Sequence, residues 1–96
     1  MTKEGDSVQV YVPYLLRGLT NGVGTVDLHA NNLAEAIDEL NRRFPGMAYR
    51  LLDDQGRLRR FVNAFVNEES VSHLAPSDVP LHAGDVITVL PSIAGG

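Results

Sequence analysis

The residues that could do chemistry lie at the end of the 96-residue chain: Pro91-Ser92-Ile93-Ala94-Gly95-Gly96. Pro91 has no N–H for a strand ladder, and five small or apolar residues follow it, too few for another element. Fully extended, the six residues reach roughly 20 Å from the body at about 3.3 Å per residue. Gly95 and Gly96 lack Cβ atoms, so this end could thread a slot too narrow for any other residue. It ends on the free carboxylate of Gly96. The side chains elsewhere show no catalytic pattern. His29, His73 and His82 have no metal-ligand spacing and no cysteine companions, because the chain has no cysteine. No serine sits in a Gly-x-Ser-x-Gly elbow. No metal and no cofactor is expected on this chain itself.

Positioning such an end requires a stiff strand directly before it. Val86 to Leu90 is β-branched and apolar, the composition of a buried strand. Val8 to Val12 alternates with period two, stops at Pro13, and resumes at Thr25 to His29 after the glycine-rich stretch 18–24; together these predict a β-hairpin. Gly22-x-Gly24 lies between strands and lacks a following helix and lysine, so it is loop rather than phosphate cradle. Leu33, Ala36, Ile37, Leu40 and Phe44 share one helical face. Asn32 is the expected N-cap with Glu35 at the capping-box position; Arg42 and Arg43 suit the C-terminal dipole, and Pro45-Gly46 ends the helix. A helical turn near 47–52, a third strand over Phe61–Val66 and a short strand starting at Val71 complete the set. One hairpin, one main helix and further strands predict an α+β domain, a mixed sheet of four to five strands with the helix on one face. The first and last strands can then lie parallel at its centre.

The length bounds a single domain over 1–96, with a disordered lead-in over 1–7 and a flexible tail over 91–96. Charged residues are 21% and hydrophobic ones 44%, as in soluble globular proteins. Absence of cysteine, of a signal-peptide pattern and of a long apolar run points to the cytoplasm and to no membrane partner. A net charge of −4 argues against nucleic acid. Arg57, Arg59 and Arg60 cluster, as do Arg42 and Arg43, either as solvated faces or as partner contacts.

From Val8 to Gly96 the chain resembles the ubiquitin-like (β-grasp) sulfur carriers of the ThiS/MoaD family. The resemblance is carried by Val66-Asn67-Glu68-Glu69, by Leu81 with Gly84-Asp85-Val86, by Leu90-Pro91 and by Ala94-Gly95-Gly96. Val12-Pro13, Leu16-Arg17, Arg60-Phe61-Val62-Asn63 and the Ser92-Ile93 ending look most similar to carriers of a bacterial cysteine-biosynthesis route. Many molybdopterin-synthase subunits have two prolines where this chain has Pro91-Ser92, and Glu68 stands where many relatives have glycine. The resemblance implies that a ubiquitin-activating-type adenylyltransferase, using ATP and magnesium, adenylates the Gly96 carboxylate, and that sulfur then displaces AMP to leave a thiocarboxylate. It implies a sulfur-acceptor enzyme such as a cysteine-synthase-like protein and a metalloprotease that releases the product, with Gly95, Ala94 and Ile93 as the tail inserted into a partner. The protein would be a monomeric carrier co-substrate, not an enzyme. The competing readings are a molybdopterin-synthase subunit, a donor for another sulfur metabolite, a lysine-conjugating protein modifier and a plain interaction domain.

Strand alternation adds a docking expectation. With Val8, Val10, Val12, Val62, Ala64, Val66, Ile87 and Val89 facing the helix, Tyr11, Pro13, Phe61, Phe65, Thr88 and Leu90 fall on the opposite face. Phe65, Leu90, Phe61 and Tyr11 are the candidate patch for the activating enzyme.

Overall fold

The computed structural model describes residues 6–91. Its elements are β1 (Asp6–Tyr11), β2 (Thr25–Ala30), α1 (Leu33–Arg43), α2 (Met47–Leu51), β3 (Val62–Val66), β4 (Glu69–Ser70) and β5 (Val86–Pro91). Five strands form one sheet in the order β2-β1-β5-β3-β4. β1 and β5 run parallel at its centre, and the other neighbours pair antiparallel, so the sheet is mixed as expected.

The period-two pattern decides which face is buried. Val8 and Val10 of β1, Val26 and Leu28 of β2, Val62 and Ala64 of β3, and Ile87 and Val89 of β5 all turn into the core. Against them packs α1 through Leu33, Ala36, Ile37 and Leu40, all buried, with Phe44 half-buried beside them. Each leucine, isoleucine or valine fully removed from water stabilises the fold by about 1.5–3 kcal/mol.

Helix α1 begins where the capping residues dictate. Asn32 Oδ1 accepts from the Glu35 N–H at 2.8 Å. The Glu35 carboxylate accepts in turn from the Asn31 N–H at 2.9 Å, one residue further out than a standard capping box reaches. At the other end Arg42 and Arg43 pair with Glu39, and Asn41 Oδ1 accepts from the Gly46 and Ala48 N–H groups, starting α2. Arg43 also donates from Nη1 to the Asp27 carbonyl at 2.7 Å. That carbonyl points away from β1, so the arginine covers part of the free edge of β2. The other edge, β4, is two residues long and exposed. Both are devices that discourage strand addition by another chain.

Several expected boundaries move. β1 starts at Asp6, paired with Ala30, so Asp6 and Ser7 belong to the sheet and not to a lead-in. Between β1 and β2 the glycine-rich stretch is preceded by a 3-10 helix, Tyr14–Thr20, that buries Leu16 and Thr20. Thr20 donates its hydroxyl to the Val23 carbonyl at 2.7 Å, which closes the loop. Pro13 is buried at the start of that helix, because β1 ends at Tyr11 and alternation stops with it. β3 begins at Val62, leaving Phe61 in the preceding turn. The short strand is Glu69–Ser70, just before Val71, which is instead a core residue. Pro91 is the last residue of β5, opposite Val62, so it is sheet rather than tail. A proline is tolerated there because it occupies the strand end.

Candidate functional site

The site has two parts, the strand that delivers the chain end and the sheet face beside it. Ile93, Ala94, Gly95 and Gly96 lie outside the described residues, as does Ser92. What the fold fixes is where they start. β5 is the central strand, held by β1 on one side and β3 on the other, and it carries the chain to Pro91 at the sheet's end.

The start of β5 is held by a hydrogen-bond cluster that unites two of the motifs read in the sequence. Asn67 donates from Nδ2 to the Asp85 carboxylate at 2.8 Å and accepts from the Val86 N–H at 2.9 Å. The Asn67 N–H donates to the Val86 carbonyl, and the other Asp85 oxygen accepts from the His82 N–H at 2.8 Å. Gln9 N–H reaches the Asp85 carbonyl and Gly84 N–H the Ser7 carbonyl, which ties the same corner to β1. Val66-Asn67 and Gly84-Asp85-Val86 therefore form a structural corner rather than a reactive one. The two-residue turn from β3 to β4 places Asn67 at φ 52° and Glu68 at φ 79°. Both are left-handed, the geometry of a tight hairpin, in which glycine is favoured at the second position.

On the sheet face away from α1, the register aligns Tyr11, Thr88 and Phe65 in one row across β1, β5 and β3. Leu90 follows opposite Asn63, and Val86 precedes opposite Gln9. Tyr11 and Leu90 keep 44% and 42% of their surface exposed, while Phe65 is half-buried. Arg17 lies at the edge of this row, its guanidinium 5.6 Å from the Tyr11 ring centre and its Nε donating to the Val12 carbonyl at 2.9 Å. Gly24 makes room for it: a Cβ there would come within 3.0 Å of the guanidinium. The fold thus brings together Tyr11, Phe65 and Leu90. Phe61 stands apart in the turn before β3, 43% exposed, with the Arg60 guanidinium 5.7 Å from its ring. Sequence reasoning missed Val86, whose parity already placed it on this face. It also missed Tyr14 and Leu15, exposed on the 3-10 helix that follows β1, because no loop pattern announced a helix there.

His29, His73 and His82 are exposed and separate; His82 Nδ1 lies 3.9 Å from Asp85. Among the described residues no three His, Asp or Glu side chains converge in a way that could hold a metal, and no helix is long and apolar enough to cross a membrane. The Asp53 carboxyl is held below its ordinary range by the N–H groups of Arg57 and Gln55, from which it accepts, and it shapes the turn after α2.

The chain is 36% identical to the sulfur carrier protein CysO of Mycobacterium tuberculosis over 92 residues, covering 94% of this chain and 99% of that protein. The crystal structure of that CysO superposes with a TM-score of 0.81 at 34% identity, over 90% of this chain and 99% of the other. The CysO chain of the BexX/CysO complex of Amycolatopsis orientalis gives a TM-score of 0.84 at 35% identity, over 93% of this chain and 99% of that one. Small archaeal modifier protein 3 of Haloferax volcanii is 33% identical over 64 residues, covering 67% of this chain and 68% of that protein. The model of the ThiS family matches residues 15–96, nearly the whole described domain, and the chain belongs to that family.

Proposed function

We propose that this protein is a sulfur carrier whose Gly96 carboxylate is converted to a thiocarboxylate. The observation that carries the reading is the match to a sulfur carrier protein along almost the full length of both chains. A central strand, β5, that runs in sequence toward the diglycine end supports it.

A carboxylate is a poor electrophile, so sulfur cannot be attached without activation. A ubiquitin-activating-type adenylyltransferase would join the carboxylate to AMP, releasing pyrophosphate from magnesium-bound ATP. Hydrosulfide or its enzyme-bound equivalent would then attack the acyl carbon and expel AMP, leaving the thiocarboxylate and one proton. This chain's part is to present the end and a face to dock on, with Tyr11, Phe65 and Leu90 as the anchors. ATP and magnesium would belong to the partner. The similarity to CysO supports cysteine as the product. The thiocarboxylate sulfur would attack an activated serine derivative in a cysteine-synthase-like enzyme and displace its leaving group. A metalloprotease would hydrolyse the bond between the Gly96 acyl carbon and that sulfur, releasing cysteine and restoring the Gly96 carboxylate.

The test is intact mass. With an activating enzyme, MgATP and a sulfur donor, the protein should gain the mass of sulfur exchanged for one oxygen. A variant lacking Gly96, or one extended by a residue and protected from trimming, should gain nothing. Thiolation of that extended variant would overturn the role of Gly96. The match to an archaeal modifier supports a second reading, conjugation to lysines, which would show as a ladder of larger covalent adducts in extracts.

A further inference from the structure

The chain's positive charge is unevenly placed. Residues 47–61 hold Arg50, Arg57, Arg59 and Arg60 against Asp53 and Asp54, a surplus of two positive charges, so in a chain of net charge −4 the remainder carries a surplus of six negative ones. The fold keeps this segment together as one lobe. The Arg59 N–H donates to the Leu51 carbonyl, Leu52 bridges Leu58, and the Arg59 Nε donates to the Tyr49 carbonyl at 2.7 Å. The same guanidinium lies 4.9 Å from the centre of the Tyr49 ring, itself 75% exposed.

Elsewhere the arginines are engaged. Arg42 and Arg43 pair with Glu39, and Arg17 is fixed to Val12 and Tyr11. In the lobe, Arg50, Arg57 and Arg60 are exposed, and among the described residues the ion pairs within 4 Å include none of the lobe's arginines. Two of the lobe's guanidinium groups instead lie over aromatic rings, Arg59 over Tyr49 and Arg60 over Phe61. Exposed arginine and tyrosine are the residue types most enriched where protein partners bind tightly.

Position supplies the occupant. Pro91, where β5 ends, is paired with Val62, and Arg60-Phe61 immediately precedes Val62. An enzyme that takes the residues beyond Pro91 into a slot therefore comes up against Arg60 and Phe61, the end of this lobe that adjoins β5. Resting on the carrier reading above, we infer that the lobe is a second docking surface. It matches a cluster of aspartates and glutamates that the adenylating enzyme carries beside the slot for the chain end. The two surfaces have different duties. Tyr11, Phe65 and Leu90 hold the bound state by apolar contact, whereas the lobe steers encounter and fixes the orientation in which the end meets its slot. Nucleic acid is disfavoured as the occupant by the six surplus negative charges on the rest of the chain.

Single charge reversals test this, because each changes net charge equally. Full-length wild type, Arg60→Glu and Arg42→Glu would be adenylated by the same activating enzyme at about 50 and about 300 mM NaCl, where steering is respectively strong and screened. Arg60→Glu is expected to raise KM for the carrier about tenfold at low salt, to leave kcat within about twofold, and to lose most of the salt dependence. Arg42→Glu is expected to stay within about twofold in both, with thermal melts confirming that both variants are folded. Equal effects of the two reversals would reduce the lobe to a net-charge effect, and no effect of either would remove it as a docking surface. A gel shift of single-stranded DNA lost in Arg60→Glu would replace the acidic protein with nucleic acid and overturn the inference. Failure of the wild type itself to be adenylated would refute the carrier reading; normal thiolation with unchanged kinetics in Arg60→Glu refutes only the lobe.

Discussion

The two faces of the sheet use the same strands for opposite purposes. In β5, Ile87 and Val89 are buried under α1, while Val86, Thr88 and Leu90 point the other way and stay at least partly exposed. Across the sheet, the row Val10, Ile87 and Val66 packs against the core, and the row beside it, Tyr11, Thr88 and Phe65, does not. One residue of register separates a side chain that holds the fold from one free to meet a partner. The covered face is specified by packing, so volume matters there. On the open face Tyr11 serves the fold only by holding the Arg17 guanidinium at its ring and hydroxyl, and it and Leu90 keep 44% and 42% of their surface exposed, the surface on which the proposed docking rests.

That division can be broken most severely from the covered side. Leu40→Ala, in the middle of the buried stripe of α1, should destabilise the protein by about 2–5 kcal/mol in urea or thermal unfolding. The converse is expected of the open face. Phe65→Ala and Leu90→Ala should each weaken binding to the activating enzyme by about 1–3 kcal/mol, read by titration calorimetry, with the fold retained. Unchanged affinity in both would leave the open face without its proposed duty.

Glu68→Gly sharpens the comparison at the sheet's rim. Glu68 holds φ 79°, a conformation that costs an L-residue roughly 1–2 kcal/mol relative to glycine. Part of that gain is lost to the greater freedom of unfolded glycine, so a net stabilisation of about 1 kcal/mol is expected, with partner binding unaltered. The smallest effect concerns Asp53. Its carboxyl is held below 3.8 by the Arg57 and Gln55 N–H groups, so the folded state favours its charged form. Its contribution to stability is therefore present above the unfolded pKa and lost as pH falls through the lowered folded value. An NMR titration should give Asp53 a midpoint below 3.8, and Asp53→Ala should flatten the acid limb of the stability curve only slightly. A midpoint at or above 3.8 would refute the role of that carboxylate in shaping the turn after α2.

Helix α1 and the core faces of β1, β3 and β5 were legible in the sequence because local signals and tertiary packing agree there. Asn32, Glu35 and Pro45-Gly46 mark the helix ends, and alternating valines mark the strands. Where local signals were weak, tertiary contacts decided. Tyr14–Thr20 contains a glycine and follows a proline, so it reads as loop, yet burial of Leu16 and Thr20 winds it into a 3-10 helix. Pro13 reads as the continuation of an alternating strand and is instead drawn inside. The candidate patch was legible only as parity: Tyr11, Phe65 and Leu90 converge because register places them so, and Phe61 escapes because β3 starts one residue later. The Asn67–Asp85 corner joins distant segments, and no local pattern shows that those motifs touch.

The central position of β5 has a further consequence, in the order of folding. Gln9 pairs with Val86, so the strand that joins the two halves of the sheet is the last of the five in chain order. Until it arrives, β1–β2 with α1 and β3–β4 are separate pieces, each with an unfinished edge. Closing so long a loop is slow compared with forming a hairpin or helix. During synthesis, the row Tyr11–Thr88–Phe65 does not exist, and the arginine lobe has no Pro91 beside it, before β5 is in place. A partner that recognises those surfaces thereby recognises a chain whose last strand is already made and seated, and passes over unfinished ones without a separate checkpoint.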